Sequence, residues 1–315
     1  MDWEDYKNEF IRVAKKNEKN EDYCDKWLKY AKKLYDKRLP IIFNQEHLCL
    51  LLGYKKQYVY SVSNSPADFY RYYKIPKKNG NFRQISEPLP SLKEIQKWIL
   101  DNILVNVDTS VYAKAYIKKK SIKDNARFHR KQKVLLSLDI KNFFDSISSD
   151  KIFDLFWNLG YKEDVVVMLT NLCCLNGSLP QGAPTSPMLS NIVLEDFDNE
   201  IGLYTMEQKI RYTRYADDMT FSGDFHAGKI ISKVKRQLND LGLKLNDEKT
   251  RTRGRGQRQE VTGIVVNEKM QLPRPERKKI RQEMHYIIKY GIESHLEYCK
   301  IEKANYLSHL KGKIE

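Results

Sequence analysis

Two carboxylates stand side by side in Tyr212-Thr-Arg-Tyr-Ala-Asp-Asp-Met-Thr-Phe-Ser222, and a third closes the run Val134-Leu-Leu-Ser-Leu-Asp139. Adjacent acids on a turn repel each other unless something positive neutralises them, and a divalent cation is suited to that. Taken alone, Asp217 and Asp218 read more readily as a solvated turn. Asp139 shifts the balance. One acid on a strand and a pair on a hairpin can together hold two metal ions about 3.5–4 Å apart, the arrangement used for in-line phosphoryl transfer. One ion would lower the pKa of an attacking hydroxyl, and both would stabilise charge on phosphorus and on the leaving group.

The elements that must carry these acids are legible from patterning. Residues 209–212 and 219–222 have strand character, so Ala216-Asp217-Asp218 reads as the tip of a tight hairpin. Residues 134–138 form a short, nearly continuous apolar run, as expected of a buried strand with Asp139 at its C-terminal end. Residues 1–60 read as helices broken at Leu39-Pro40, and 70–87 switch to strands around a turn at Lys77-Lys-Asn-Gly-Asn81. Helical spacing predicts a helix over 91–105, two within 150–172, and one over 225–241. Val261-Thr-Gly-Ile-Val-Val266 reads as a strand, and 273–289 as a basic helix.

The 315 residues carry 56 Lys and Arg against 41 Asp and Glu, a net charge of +15, which points to a polyanionic partner. The 20 tyrosines add side chains that can stack on bases. Lys118, Lys119, Lys120, Lys123, Arg127, Arg130, Lys131 and Lys133 crowd the approach to Asp139, as a nucleic-acid-facing segment or a solvated face. Cys24, Cys49, Cys173, Cys174 and Cys299 form no C-x-x-C pair, so neither zinc ligation nor a disulfide framework is supported, and a reducing cytoplasm fits. The N-terminus lacks a basic start followed by an apolar run, so no signal peptide is expected. No stretch approaches the ~20 apolar residues of a membrane span.

With these residues in place the sequence resembles the reverse transcriptases. Asp139 with Phe144 and Asp145 resembles their polymerase motif A, and Leu179-Pro-Gln-Gly-Ala-Pro-Thr-Ser-Pro187 with Leu189-Ser-Asn191 resembles motif B. Tyr215-Ala-Asp-Asp218 is similar to motif C, and Gly242-Leu-Lys-Leu-Asn-Asp-Glu-Lys249 to motif D. The four stand in the family's order, and the likeness spans about residues 73–267. The resemblance implies an α+β right-hand polymerase with an antiparallel, RRM-like palm sheet. Its expected parts are an N-terminal helical extension (1–60), fingers (61–134), a palm (135–265, with a finger insertion near 161–190) and a short or truncated thumb (266–315). It implies a two-metal Mg²⁺ site, with Mn²⁺ as a substitute, on Asp139, Asp217 and Asp218, and Lys249 as a general acid near the pyrophosphate. It also implies a nucleotide pocket of Lys77, Lys78, Arg83, Phe144, Gln181 and Gly182. There Arg83 would clamp the triphosphate, Lys77 or Lys78 would reach the γ-phosphate, and Phe144 would exclude a ribose 2′-hydroxyl. Phe143 reads as a core aromatic.

Two further segments are similar to the retron branch of that family: Asn125-Ala-Arg-Phe-His129 and Val261-Thr262-Gly263. The resemblance implies that Asn125, His129, Val261, Thr262 and Gly263 contact RNA or primer. It further implies a cytoplasmic bacterial enzyme that copies part of a cognate structured non-coding RNA into single-stranded DNA (msDNA), using dNTPs. Priming would start from an internal guanosine 2′-hydroxyl, and an effector protein would act with the enzyme in anti-phage defence. The alternatives are another prokaryotic reverse transcriptase, defence-associated or group II intron-like, and a non-catalytic RNA-binding scaffold.

Overall fold

The computed structural model describes residues 2–76, 80–300 and 305–314. Side-chain caps start the first three helices. Asp2 accepts from the Asp5 N–H at the head of α1 (Trp3–Lys16), Asn20 from Tyr23 at α2 (Glu21–Asp36), and Asn44 from His47 at α3 (Gln45–Leu52). Helix α4 (Lys56–Asn64) completes the N-terminal unit. Ala14, Cys24 and Leu28 form a small satellite core there, whereas Leu34, Leu48 and Val59 join the main one.

Strands β1 (Tyr70–Pro76) and β2 (Phe82–Pro88) pair antiparallel with Ile75 opposite Arg83. The ribbon is exposed for most of its length. Lys77 and Lys78, expected on its turn, lie outside the described residues. Next come α5 (Pro90–Asn102) and α6 (Ile122–Phe128); the latter starts on a capping box in which Ser121 and Asp124 satisfy each other's backbone.

The central sheet is antiparallel throughout. Its first strand in the chain is β3 (Val134–Asp139). Helices α7 (Ser149–Leu159), α8 (Glu163–Cys173), α9 (Ser186–Val193) and α10 (Glu195–Glu207) intervene before β4 (Arg211–Tyr215) and β5 (Asp218–Gly223). Helix α11 (Ala227–Asp240) leads to β6 (Arg251–Gly254), and the spatial order is β4-β5-β3-β6. Leu136 and Leu138 of β3, Met219 and Phe221 of β5, Ile201 of α10 and Val234 of α11 share the main core. Leu135 points the other way, as strand alternation requires, and packs with Ala126 of α6. Both faces of β3 are therefore covered, which explains its continuous apolar run.

Two expectations are corrected here. Residues 261–266 are not one strand but a tight hairpin, β7 (Glu260–Val261) and β8 (Ile264–Val265). Thr262 (φ 45°) and Gly263 (φ 84°) both take left-handed backbone, the requirement of a two-residue turn that matches strand twist. The other turn holds Ala216 and Asp217 alone: Asp218 pairs with Tyr215 and belongs to β5. Three helices follow the β7–β8 hairpin among the described residues, α12 (Arg274–Tyr290), α13 (Ile292–Tyr298) and α14 (Tyr306–Ile314).

Gly202, buried in α10, lets the ring of Tyr112 lie where a side chain would be; a Cβ there would fall 2.0 Å from Tyr112 Cε2. That ring packs against Tyr212 of β4, with centroids 5.7 Å apart. Gly202→Ala gains about 1 kcal/mol of helix propensity but overpacks this contact. A net loss of about 1–2 kcal/mol in urea unfolding is expected.

Candidate active site

Register brings the three acids together. Asp139 ends β3 opposite Asp218, the first residue of β5, and Asp217 lies in the turn beside them. The Ile140 N–H donates to the Asp217 carbonyl (3.0 Å), tying the exit of β3 to that turn. The segment before β6 is held to the same exit: Lys141 N–H donates to Lys244 O (2.9 Å) and Asn246 N–H to Asp139 O (2.8 Å). This places Lys249 Nζ 2.7 Å from Asp139 Oδ2. Asp139 is buried, whereas the Lys249 side chain is largely exposed.

The electrostatics record the crowding. Loss of solvation, then the charge of Asp139, raises the pKa of Asp217. Loss of solvation, then Asp217 and Asp139, pushes Asp218 up to about 6. Partial desolvation works against the Lys249 charge, but the hydrogen bond and charge of Asp139 outweigh it and hold its pKa above the usual lysine value. Such a set has spare negative charge for a cation. No group of three or more His, Cys, Asp or Glu side chains among the described residues forms a ready cage. Magnesium does not need one, because it keeps waters and takes one or two carboxylates plus substrate phosphates. The residues present fit that mode of binding.

Asp139 and Asp217 open into a cleft of about 910 Å³, which Arg83, Phe144, Gln181 and Lys249 also line. Both Phe143 and Phe144 border the cleft; Phe144 is half-buried, while Phe143 is buried in the core, 5.2 Å away between ring centroids. The Ser86 N–H of β2 donates to the Gln181 carbonyl (2.8 Å), fastening the strand that bears Arg83 to the 179–187 loop. Gly182 permits this approach: at φ 132°, a Cβ would meet Ser86 O at 2.7 Å. Tyr116 also lines the cleft, its phenol pKa raised by burial and then by Asp217. It was not anticipated from sequence, because nothing in a basic, aperiodic stretch distinguishes one tyrosine.

The expected RNA-contact residues are placed differently. Asn125 and His129 are fully buried, so neither can touch RNA. His129 Nε2 lies 2.7 Å from Thr213 Oγ1 on β4 and its Nδ1 2.7 Å from Ser222 Oγ on β5, while the Thr213 hydroxyl donates to Asn125 Oδ1 (2.6 Å). Helix spacing explains the correction. Asn125, Ala126 and His129 share the inward stripe of α6, and Lys123, Arg127 and Arg130 face solvent. Val261 is likewise buried, in the cluster of Ala126, Leu135 and Val266, and only the Thr262–Gly263 tip reaches the surface. Arg214 and Asp198, a fully buried ion pair behind the Ala216–Asp217 turn, were also missed. The signal was there in an arginine on the same strand face as Tyr212, a buried register that demands an acid partner.

A sheet end bearing three acids, with an arginine and an aromatic beside the cleft, fits a nucleotidyl-transferring polymerase. Residues 75–283 match the family model described as reverse transcriptase (RNA-dependent DNA polymerase). The chain belongs to this family: it is an α+β right-hand polymerase, an RNA-directed DNA polymerase whose partner is an RNA template. Within the family it is of the retron type. It is 36% identical over 242 residues to the retron Ec86 reverse transcriptase of Escherichia coli, covering 74% of this chain and 75% of that one. It is 33% identical over 270 residues to the retron Ec83 reverse transcriptase of the same species, covering 80% and 83%. Among solved structures, apo telomerase from Candida tropicalis truncated from its C-terminal domain aligns with a TM-score of 0.48 at 12% identity, covering 70% of this chain and 61% of that one.

Burial, then the charges of Arg211 and Lys114, lowers the His129 pKa from 6.5 to about 3, so the folded ring stays neutral. Above pH 6.5 this costs nothing. As pH falls below 6.5 the unfolded chain takes a proton that the folded one refuses, and stability is lost progressively towards pH 3, by up to about 1.4 kcal/mol per pH unit. Urea midpoints of His129→Gln, measured from pH 7 to 4.5, are expected to fall less steeply than those of the unsubstituted protein.

Proposed function

We propose that the protein synthesises DNA on a retron RNA through a Mg²⁺ site on Asp139 and Asp217, with Asp218 adding mainly electrostatic attraction. The observation that carries this reading is the meeting of β3, the Ala216–Asp217 turn and Lys249 at one end of one sheet, open to one cleft. When bound, the ions would lower the pKa of the attacking 3′-hydroxyl and neutralise charge on the transferring phosphate. Arg83, on the exposed ribbon across the cleft, clamps the triphosphate with its planar fork. Phe144 abuts the sugar C2′ and disfavours ribonucleotides. Gln181 and Gly182 bound the template–nucleotide pocket. Lys249, held protonated by Asp139, supplies a proton to the departing pyrophosphate.

On this reading residues 1–60 are a helical extension, 61–134 the fingers, 135–265 a palm of RRM-like type with a finger insertion near 161–190, and 266–315 the thumb. The exposed bases Lys118, Lys119, Lys120, Lys123, Arg127, Arg130, Lys131 and Lys133 hold nucleic acid, together with the Thr262–Gly263 tip. The template is a cognate structured non-coding RNA, copied into msDNA from an internal guanosine 2′-hydroxyl. Its setting is the bacterial cytoplasm, alongside an effector protein in anti-phage defence. Five free cysteines, four of them buried, suit a reducing compartment, and no helix among the described residues is long and apolar enough to cross a membrane.

Asp217→Asn is expected to lower Mg²⁺-dependent primer extension by at least about 100-fold while far-UV circular dichroism and RNA binding stay unchanged; undiminished extension would end this reading. Phe144→Val is expected to weaken discrimination against ribonucleotides by about 10–100-fold, the scale of a lost steric contact. Competition between dCTP and CTP in single-nucleotide insertion measures it.

A further inference from the structure

We propose that Arg214 and Asp198 form a buried clamp that sets the orientation of the Ala216–Asp217 turn, which makes Arg214 a positioning residue for Asp217. The inference rests on the reading of Asp217 as a metal-binding carboxylate.

Arg214 is the largest fully buried side chain of the protein's described residues, and its main chain is pinned at both ends. Its N–H donates to Tyr112 O (2.9 Å), and its carbonyl accepts from the Lys114 N–H (2.7 Å). From this fixed base the guanidinium serves two directions at once. Nε donates to both oxygens of Asp198 (2.9 and 3.0 Å) and Nη2 donates to Oδ2 (2.6 Å). Nη1, on the remaining edge of the fork, donates to the carbonyl of Ala216 (3.0 Å). Asp198 is fixed in turn by the Tyr212 hydroxyl, which donates to Oδ1 (2.7 Å), and by its place on α10.

The Ala216 carbonyl is the important target. It belongs to the peptide plane that enters Asp217, and a peptide plane is rigid. The plane that leaves Asp217 is held from the other side by Ile140. With both flanking planes fixed, the Asp217 carboxylate can move only about its own side-chain torsions. Holding is needed, because Ala216 sits at φ 58°, a conformation that a residue with a Cβ adopts reluctantly. Stability alone is a weak explanation for the pair, since well-packed apolar residues commonly replace a buried ion pair without loss. Apolar residues cannot aim a hydrogen bond at Ala216 O, and a lysine ammonium lacks the planar fork that reaches carboxylate and carbonyl together.

The test is single-nucleotide primer extension by the full chain, with rates expressed per folded molecule after active-site titration. The double variant Asp198→Leu/Arg214→Met is expected to lose kcat by about 100-fold, the effect of misplacing a reacting group by about an ångström, while KM for the dNTP stays within about twofold. Tyr212→Phe keeps the ring and its stacking on Phe221 but removes one donor to Asp198. It is expected to lower kcat by about fivefold, the equivalent of one hydrogen bond, again without change in KM. If the double variant does not fold, Tyr212→Phe decides alone. Unsubstituted kcat in every variant that folds, or a change confined to KM, overturns the clamp. Asp217→Asn is run in parallel: activity retained there overturns the reading of the site itself, whereas loss there beside full activity in the clamp variants overturns only the clamp.

Discussion

Repulsion among Asp139, Asp217 and Asp218 is the constraint around which this molecule is arranged. A sheet that ends in three acids gains nothing locally from doing so, and burial first, then the neighbouring carboxylates, raises the pKa values of Asp217 and Asp218. What keeps them together is the covering of the sheet on both faces. The main core lies on one side, and α6 with the β7–β8 hairpin lies on the other. Lys249 then answers part of the charge from a segment bonded to the exit of β3. The remaining negative charge makes this end of the sheet attractive to cations before anything has bound.

Polar groups brace the same strand from opposite sides. Alternation along β4 sends Tyr212 and Arg214 towards Asp198 on α10, and Thr213 towards Asn125 and His129 on α6. Burying so many hydrogen-bonding groups is costly unless each finds a partner. In exchange, hydrogen bonds have direction, which apolar packing lacks. A strand fixed in this way cannot slip by one residue without orphaning an ion pair on one face and a histidine on the other.

The placement of the acids was more legible in the sequence than the scaffolding around them. Asp139 at the end of an apolar run and Asp217 in a hairpin turn follow from short-range patterning, and so do the helical N-terminus and the ribbon bearing Arg83. Phe143 is buried in the core, as the sequence suggested, and Phe144 beside it is the more exposed of the two, although both rings border the cleft. Asn125 and His129 went astray because a motif names residue types without saying which face of a helix they occupy. The charges at Lys123, Arg127 and Arg130 mark the outer face and could have corrected it. Residues 261–266 looked like one strand because their apolar side chains outweighed Gly263, the residue that allows the turn. Arg214 and Asp198 stand on consecutive elements, β4 and α10, but which acid meets the arginine depends on how that helix packs on the strand, which patterning alone does not give. Lys77 and Lys78 lie outside the described residues.

The bond from Ser86 N–H to Gln181 O, with Gly182 behind it, has a mechanical meaning. It anchors the exposed ribbon at Ser86, which makes that residue its fulcrum. Arg83 stands three residues out along the ribbon, about 10 Å at the rise of a strand. Any bending of the ribbon beyond Ser86 would move Arg83 relative to the cleft and leave the wall that Gln181 forms in place.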